Sequence, residues 1–516
     1  MNVESAALYN KTVYQGMFAM TDLSRYHQFL NTPLDTLLAQ QSAIDPESAF
    51  FALFKHCAKD VPAYADFLKH HAVVADELTS PEDYSKLPLM TKMGYMRAYS
   101  LAQRCMGGSL QVADRIAVSS GSTGQATFWP RSLNYEAEIA MRFEQVLHDS
   151  FRAHQRSTLA IVCFALGNWV GGLFTTSCCW HLAAKGYPLM TATPGNNKTE
   201  IFRVVRELAA DFEQIVLLGY RPFIKDVLDA GLHEGIPGRD YQTKLVFAGE
   251  VFSEEWRELL ALRTGSTTAC FDSASLYGTA DGGVLGNETP FTIAIRRWLA
   301  QHPDLAHSLF GEARLPTLVQ YDPASRYFEL ENDTLVVSAD NSLPLLRYHI
   351  ADKGGLIDFQ QMLDFLRQHG IQDLTQLGLP DDYQTRQQPL VFVFGRADFT
   401  VSFYGANIYP ENIAVGLEQE VVNQWLSGKF VLETDEDANG DKYLQIAVEL
   451  LPGIAADSSK AEQIAISVQQ QLLRLNSEFK HYTPVERQLP QITLHTFADP
   501  DYFPLGVKHR YTRNKH

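Results

Sequence analysis

The ten residues from Val118 to Thr127 have the composition of a phosphate-binding loop. They carry five hydroxyl side chains and two glycines, directly after the apolar pair Ile116-Ala117. Glycine lets backbone N–H groups turn toward a bound anion, and serine and threonine place further donors beside them. A polar surface turn is the alternative interpretation of the same composition. The candidate phosphate-binding residues are Ser119, Ser120, Gly121, Ser122, Thr123 and Gly124.

Three familiar motifs are absent from this loop. It contains neither the Gly-x-x-x-x-Gly-Lys-Ser/Thr pattern of a P-loop nor the Gly-x-Gly-x-x-Gly fingerprint of dinucleotide-binding proteins. Its serines also lack the Gly-x-Ser-x-Gly frame of a hydrolase nucleophile elbow. The sequence therefore favours a phosphate-binding loop of another kind.

The length and charge of the chain restrict its class. A chain of 516 residues is too long for one hydrophobic core, so we expect at least two domains. Hydrophobic residues make up 46% and charged residues 20%, as in an ordinary soluble enzyme. The net charge of -17 and the pI near 5.4 argue against a general affinity for nucleic acid or acidic membranes.

The six cysteines show no Cys-x-x-Cys spacing, so we expect neither a disulfide framework nor a zinc site, and a cytoplasmic location fits. The stretch between Arg156 and Lys185 is uncharged and long enough to consider as a membrane span. Because glycines interrupt it, we predict a buried strand, a glycine turn and a buried helix instead, and no membrane association. The N-terminus has no apolar segment typical of a secretory signal.

Strand and helix patterns alternate after the candidate loop. Apolar runs at 214–218 and 244–248 predict buried strands, and the periodicity of 201–208 predicts a helix. This alternation predicts an α/β fold with a large domain of sheets covered by helices. Beyond residue 398 the pattern changes to strands around one long helix near 461–475, which predicts a small α+β domain.

The candidate loop resembles the phosphate loop of the adenylate-forming superfamily, Ser/Thr-Ser-Gly-Ser/Thr-Thr-Gly-x-Pro. Residues 119–124 match this pattern, and Ala126 stands where the family has proline. Upstream, Leu87-Pro88-Leu89-Met90-Thr91-Lys92 resembles an element of the phenylacetate–CoA ligase branch of that superfamily. Further motifs follow in the family's order, so that the resemblance covers about residues 50–510.

The second motif, Tyr277-Gly278-Thr279-Ala280-Asp281, resembles the family's Tyr-Gly-x-Ser/Thr-Glu. The resemblance implies that Tyr277 and Gly278 hold the adenine and that Asp281 holds magnesium. Ala280 lacks the hydroxyl that reaches the α-phosphate in that family, and Thr279 is the candidate to replace it. Aspartate is one methylene shorter than glutamate, so contact with the metal through water is the expectation. Ala248-Gly249-Glu250 resembles the element at the adenine edge. Without the resemblance, the second motif is interpreted as the ordinary end of a strand that leads into a turn.

The third and fourth motifs provide ribose and hinge candidates. The string from Leu343 to Asp352 resembles the phenylacetate–CoA ligase form, which implies that Asp352 accepts hydrogen bonds from the ribose hydroxyls. In the stretch 395–410 the resemblance implies that Arg396 contacts ribose or phosphate and that Asp398 is the hinge between domains. It also implies that Gly405 lets the backbone approach the pantetheine arm of coenzyme A.

The fifth motif, Pro504-Leu505-Gly506-Val507-Lys508, resembles the family's C-terminal lysine motif with Val507 inserted. The resemblance assigns Lys508 as the catalytic cation, with Lys515 as the alternative. The implied domains are a large AMP-binding domain over 1–394, a hinge at 395–398 and a mobile small domain over 399–516.

The resemblance implies an enzyme that uses ATP and Mg²⁺ to activate a carboxylic acid as an acyl-adenylate, with coenzyme A as the acceptor. The aromatic residues Trp169 and Phe247 suit an aryl or arylacetic acid, although core packing explains most aromatic residues of this region. An amine or alcohol acceptor and a catalytically silent nucleotide-binding protein stay open. We expect small-molecule partners, no nucleic acid, and leave a homodimer open.

Overall fold

The computed structural model describes residues 23–119, 127–249, 251–312, 315–396, 401–403, 406–436, 442–476, 479–480, 483–505, 509 and 511–512. Several residues singled out from the sequence therefore lie outside the described residues: Ser120, Gly121, Ser122, Thr123, Gly124, Glu250, Asp398, Gly405, Lys508 and Lys515. The roles implied for them stay predictions.

The strands divide into a large set and a small set. The strands up to Arg396 are β1 (Arg115–Ser119), β2 (Thr127–Arg131), β3 (Thr158–Val162), β4 (Leu189–Ala192), β5 (Gln214–Tyr220), β6 (Thr243–Ala248), β7 (Ser273–Thr279), β8 (Gly283–Asn287), β9 (Thr317–Gln320), β10 (Tyr327–Glu331), β11 (Thr334–Ala339), β12 (Leu345–Ile357) and β13 (Leu390–Arg396). The later strands are β14 (Val401–Phe403), β15 (Ala406–Ile408), β16 (Leu426–Glu436), β17 (Lys442–Leu450) and β18 (Gln491–His495).

The helices of the first part of the chain cover both sides of its sheets. They are α1 (Ser24–Asn31), α2 (Leu34–Ser42), α3 (Pro46–Asp60), α4 (Pro62–His70), α5 (Leu133–Gln145), α6 (Val170–Ala184), α7 (Lys198–Leu208), α8 (Arg221–His233), α9 (Glu254–Thr264), α10 (Ala269–Asp272), α11 (Pro290–Ala300), α12 (Pro303–Phe310) and α13 (Phe359–Gln368). The remaining α-helices are α14 (Pro410–Leu417), α15 (Glu420–Asn423) and α16 (Ser458–Leu475).

Eleven of the described strands form one mixed sheet in the order β10-β11-β12-β13-β9-β8-β7-β6-β5-β3-β4. In this order, the neighbours among β7, β6, β5, β3 and β4 pair in parallel. All neighbours from β10 along the sheet to β7 pair antiparallel. The strands β1 and β2 form a separate hairpin around residues 120–126. The predicted α/β fold class is confirmed, with helices on a large sheet and a small α+β unit after it.

The large sheet folds back on itself where β8 meets β9. These strands share only the register pair Asn287–Gln320, and both of its side chains are buried. In a flat sheet, β7 and β12 would lie about 19 Å apart, because three strands separate them and neighbouring strands are about 4.8 Å apart. The Tyr277 hydroxyl on β7 nevertheless lies 2.7 Å from the Asp352 carboxylate on β12. The fold at this corner therefore brings distant strands to one site.

The small unit has its own core on one face of the three-stranded sheet β16-β17-β18, where α14 and α16 supply buried apolar side chains. It contacts the large unit through polar groups. Glu418, at the end of α14, accepts hydrogen bonds from the guanidinium of Arg221 and from Ser253 Oγ, the latter at 2.6 Å. Lys225 Nζ donates to the Leu426 carbonyl at 3.2 Å. The predicted boundary at 395–398 falls where β13 leaves the large sheet, and the hinge itself stays a prediction.

The uncharged stretch after Arg156 forms the buried strand β3 and the helix α6, as predicted. Among the described helices, none combines the length and apolar character needed to cross a lipid bilayer.

Candidate active site

Three parallel strands end side by side at the candidate nucleotide site. In register, Tyr220 at the end of β5 lies beside Ala248 at the end of β6, and Ala248 lies beside Leu276 of β7. Gly249 and Tyr277 therefore lie at the carboxyl edge of the parallel part of the sheet. This edge is where open α/β sheets bind ligands. The second motif and the adenine-edge element are thus brought together, as far as the described residues show.

Gly249 turns the chain at this edge. Its φ of +94° is a conformation that L side chains rarely adopt. A Cβ at this position would lie 3.5 Å from the Tyr220 ring, which is ordinary van der Waals contact. The conformation of the backbone, and not lack of space, therefore requires glycine here.

Two tyrosines connect the second motif with the third. Tyr277 Oη donates to the Asp352 carboxylate at 2.7 Å, and Tyr348 Oη donates to the carboxylate of Asp281. Each motif thus supplies one tyrosine and one aspartate to these two hydrogen bonds. Arg396 lies opposite Asp352 in the register between β12 and β13. The candidate ribose acid, the candidate metal acid and the candidate adenine residue therefore form one cluster.

Two residues of β12 have a left-handed backbone, and each directly precedes a side chain of the cluster. Arg347 has φ of +49° and Ala351 has φ of +64°. For residues other than glycine this conformation costs about 1–2 kcal/mol. The Arg347 side chain is held by residues 85–87, because its Nη1 donates to the Ser85 and Leu87 carbonyls at 2.5 and 2.6 Å. These two kinks direct Tyr348 and Asp352 toward the site.

We predict that Ala351→Val raises the KM for ATP about tenfold, which corresponds to about 1.4 kcal/mol. A β-branched side chain disfavours the left-handed conformation that directs Asp352, so the carboxylate should be displaced. Ala351→Gly is the matched control, because glycine adopts this conformation without strain and should leave the KM for ATP within twofold. Pyrophosphate-exchange kinetics measure both. A lower Tm in the valine variant with an unchanged KM would contradict the prediction.

The turn after β7 is compact. A Cβ on Gly278 would lie 2.6 Å from the Gly283 carbonyl oxygen, so no larger residue fits without moving β8. The Gly282 N–H donates to Thr279 Oγ1 at 2.9 Å. This bond uses an acceptor position of the Thr279 hydroxyl and leaves its proton for another acceptor. The predicted contact of Thr279 with the α-phosphate is thus compatible with the turn and stays a prediction.

The candidate pocket residues Trp169 and Phe247 differ in their surroundings. Trp169 is 41% exposed and lies beside Val118 of β1, whose N–H donates to the Asn168 carbonyl at 2.7 Å. It is therefore adjacent to the start of the candidate phosphate loop. The Phe247 ring is only 1% exposed and packs edge-on against Phe252 and Trp256. Its expected place in a substrate pocket is corrected to core packing, because its ring is enclosed by the helix side of the sheet.

The cluster offers one carboxylate suited to magnesium. No group of three or more His, Cys, Asp or Glu side chains in the described ranges could enclose a metal ion by itself. Magnesium often binds through one or two carboxylates together with substrate phosphates, so a single acid is sufficient. The half-buried Asp281 carboxylate, fixed by Tyr348, fits that role.

His509, the residue after Lys508 in the chain, is anchored to the strand β16. Its Nε2 lies 2.7 Å from the Phe430 carbonyl oxygen, so Nε2 must carry the proton. The ring packs near Phe503 and Tyr511. Burial, with a contribution from the Lys429 charge, lowers the pKa of His509 to about 4. The imidazole is therefore neutral at pH 7.

We predict that this anchor weakens in acid. Because the pKa of His509 is lower in the folded protein than its unfolded value of about 6.5, the unfolded chain binds the proton more strongly. The contribution of His509 to the free energy of unfolding is complete above pH 6.5. It is lost progressively toward pH 4, by up to about 3 kcal/mol. His509→Asn keeps a donor and does not titrate. Denaturant unfolding should show the advantage of the wild type at pH 7.5 vanishing by pH 4.5, and a constant difference would contradict this.

Nothing in the sequence indicates a role for Tyr348, Arg131 or Tyr135. Tyr348 stands inside the third motif, but nothing in the sequence shows that it faces Asp281. Arg131 ends β2, directly after the run Phe128-Trp129-Pro130, and a charged residue closing an apolar strand was the available signal. Tyr348 and Arg131 contact the second motif and Tyr135 contacts Gly282 directly after it, in each case more than 60 residues away in the chain.

Comparison with known proteins gives relatives of one kind. No family model matches the chain. A curated relative, phenylacetate-coenzyme A ligase of Pseudomonas putida, is 21% identical over 407 residues and covers 77% of this chain and 79% of its own. A solved structure of 2-hydroxyisobutyryl-CoA ligase in the postadenylation state superposes with a TM-score of 0.61 at 14% identity, covering 97% of this chain and 93% of its own. The same ligase in the thioesterification state gives 0.50, covering 96% and 94%.

The chain has the fold of these acyl-CoA ligase structures, which agrees with its sequence resemblance to the adenylate-forming superfamily. The resemblance to that superfamily and to its phenylacetate–CoA ligase-like branch is thereby confirmed. These relatives are acid–CoA ligases, which agrees with the class of enzyme predicted from the motifs.

Proposed function

We propose that this protein uses ATP to convert a carboxylic acid into an acyl-adenylate and then transfers the acyl group to coenzyme A. The observation that carries the proposal is the cluster of Tyr277, Asp352, Asp281 and Tyr348. It joins two motifs, separated by about 70 residues, at the carboxyl edge of the sheet. The acid–CoA ligase relatives support the same reaction.

In the first step, a carboxylate oxygen of the acid attacks the α-phosphorus of ATP. A new P–O bond forms, the bond to the bridging oxygen breaks, and pyrophosphate leaves with that electron pair. Asp352 accepts hydrogen bonds from the ribose hydroxyls while the Tyr277 hydroxyl keeps its carboxylate in place. The Ser119–Gly124 loop and Lys508 supply donors to the phosphates. Positioning and charge stabilisation provide most of the catalysis in such a displacement.

Asp281 would hold Mg²⁺, with the Tyr348 hydroxyl bond fixing the rotamer of its carboxylate. Bound magnesium neutralises phosphate charge during the displacement. Asp281 would hold the metal next to the nucleotide, so the position of the turn 280–282 matters as much as the side chain it carries.

In the second step, the sulfur of coenzyme A attacks the acyl carbon of the adenylate, and AMP leaves as the thioester forms. We propose that the small domain rotates about Asp398 between the two steps. In this rotation Lys508 leaves the site of adenylate formation and the Gly405 backbone approaches the pantetheine arm. The six cysteines are free thiols, which suits the cytoplasmic location that we propose.

The proposed acid is aryl or arylacetic. The exposed Trp169 ring beside β1 and the relationship to phenylacetate-coenzyme A ligase support this choice. Similarity of fold to 2-hydroxyisobutyryl-CoA ligase makes short hydroxy acids the necessary comparison.

A panel of benzoic, phenylacetic, hydroxycinnamic, 2-hydroxyisobutyric and fatty acids, screened by ATP–pyrophosphate exchange, tests the first step. Product analysis by mass spectrometry with and without coenzyme A tests the second. We expect acid-dependent exchange and an acyl-CoA product. An amide or ester formed only with an added amine or alcohol would favour a synthetase of specialised metabolism. Nucleotide binding without exchange for any acid would favour the catalytically silent relative.

A further inference from the structure

Arg131 is a fully buried arginine directly beside the candidate metal acid. Its guanidinium is 0% exposed and lies 4.8 Å from the Tyr135 ring centre and 5.4 Å from that of Phe174. Its Nη2 donates to the Ala280 carbonyl at 2.7 Å and lies 3.2 Å from the Asp281 carbonyl. Among the described residues, its hydrogen-bond acceptors are backbone carbonyls and not a carboxylate.

A buried guanidinium that forms no salt bridge among the described residues depends on its hydrogen bonds, so these contacts stabilise Arg131 and at the same time hold the carbonyls that they bind. Here the consequence concerns the turn 280–282. Arg131 engages two of its carbonyls, and Tyr135 Oη donates to the third, that of Gly282, at 2.8 Å. A Cβ on Gly283 would lie 2.1 Å from Tyr135 Oη, so this close approach requires glycine. Three consecutive carbonyls are thus held from one side.

The other side of the turn faces the candidate site. The Asp281 carboxylate there accepts the Tyr348 hydroxyl. Arg131 is also the last residue of β2, the strand that leaves the candidate phosphate loop. Its backbone belongs to the hairpin of β1 and β2, and its side chain holds the turn 280–282. Arg131 therefore links β2 directly to the turn that carries Asp281.

We propose that Arg131 is a positioning residue for adenylate formation, which sets the Asp281 carboxylate in register with the phosphate loop for binding of the magnesium–nucleotide complex. This inference rests on the proposed function. Tyr135 assists through the Gly282 carbonyl. Arg131 itself does not touch the substrate, because the turn lies between its guanidinium and the site.

The test uses Arg131→Met, Arg131→Lys and, as a matched control, Arg142→Met. Arg142 is 3% exposed, lies on α5, and donates to Gln145 Oε1 and not to the turn. Its loss therefore reproduces the removal of a buried guanidinium without disturbing Asp281. Asp281→Asn supplies the effect expected when the metal acid itself is lost. Tyr135→Phe removes only the hydroxyl, and it keeps the test available if Arg131→Met does not fold.

We expect Arg131→Met to lower kcat of pyrophosphate exchange at least tenfold and to raise the half-saturating Mg²⁺ concentration at least threefold, in the same direction as Asp281→Asn. Arg131→Lys should recover part of both losses, and Tyr135→Phe should raise the Mg²⁺ requirement about twofold. Thioester formation from preformed adenylate should stay within twofold. Arg142→Met should lower Tm without changing the Mg²⁺ requirement.

Calorimetric titration of ATP with and without Mg²⁺ gives a readout that needs no turnover. In Arg131→Met the gain in ATP affinity due to Mg²⁺ should fall at least threefold, whereas in Arg142→Met it should equal that of the wild type. Equal Mg²⁺ dependence in these two variants, or equal losses in both half-reactions, overturns the assignment of Arg131. Absence of exchange in the wild type with every acid overturns the proposed function instead, and the titration then decides the role of Arg131 alone.

Discussion

Lys508→Ala is expected to slow adenylate formation 10²-fold or more, about 3 kcal/mol, because it removes a cation that stabilises charge only in the transition state. Its neighbour His509 is anchored to the Phe430 carbonyl, so alanine at position 508 should leave this anchor intact. Thioester formation from supplied adenylate should change less than threefold. Rapid-quench measurement of each half-reaction gives both values.

Lys515→Ala is the matched control for Lys508, since it removes a lysine of the same basic C-terminal segment. We expect its adenylation rate to stay within threefold of the wild type. A larger loss in Lys515→Ala than in Lys508→Ala would move the catalytic role to Lys515. Equal losses in both half-reactions of Lys508→Ala would indicate damage to the small domain and no specific role in adenylation.

Glu418→Ala is expected to shift the balance between the two half-reactions. Glu418 accepts from Arg221 and Ser253 across the boundary between the large and small units, and both members of the ion pair are largely buried. Removing one member of a buried pair leaves an uncompensated charge and typically costs 3–5 kcal/mol. Arg221 keeps its Val251 carbonyl and the Trp256 ring, so we expect about 3 kcal/mol. The domain arrangement that contains the contact should lose about 10²-fold in population.

We propose that the domain arrangement that contains the Glu418–Arg221 contact is the one used for adenylate formation. The chain superposes better on the 2-hydroxyisobutyryl-CoA ligase in the postadenylation state, with a TM-score of 0.61, than in the thioesterification state, with 0.50. Glu418→Ala should therefore lower the single-turnover rate of adenylation at least tenfold relative to that of thioester formation. Small-angle scattering should show the altered domain arrangement independently of turnover.

The exposed interdomain pair Glu255–Arg474 provides the control. Its charged atoms are 3.5 Å apart and both side chains are about half exposed. Glu255→Ala should therefore change the ratio of the adenylation rate to the thioester-formation rate by an amount that corresponds to less than about 1 kcal/mol. A ratio unchanged in Glu418→Ala would contradict the role of this contact. A shift in favour of adenylation would contradict the assignment of the arrangement.

Local structure and the order of the motifs could be predicted from the sequence alone. Hydrophobic periodicity is a property of neighbouring residues, so the buried strands β5 and β6, the long helix α16 and the change of pattern near residue 398 could be predicted. Motif order was sufficient to predict the class of enzyme, because five patterns in one sequence restrict the choice more than any one of them. Gly249 was also predicted at the adenine edge, although only the structure gave its φ of +94°.

The tertiary structure decided which distant side chains meet. The contacts Tyr277–Asp352 and Tyr348–Asp281 depend on the corner between β8 and β9, a single register pair that no local pattern specifies. The same holds for Arg131, whose role depends on a turn 149 residues away. Burial likewise distinguishes the enclosed Phe247 ring from the partly exposed Trp169 ring. The sequence does not distinguish them, because an aromatic residue suits a core as well as a pocket. Composition and periodicity describe the faces of single elements, whereas a site forms between elements, and the sheet order determines which elements those are.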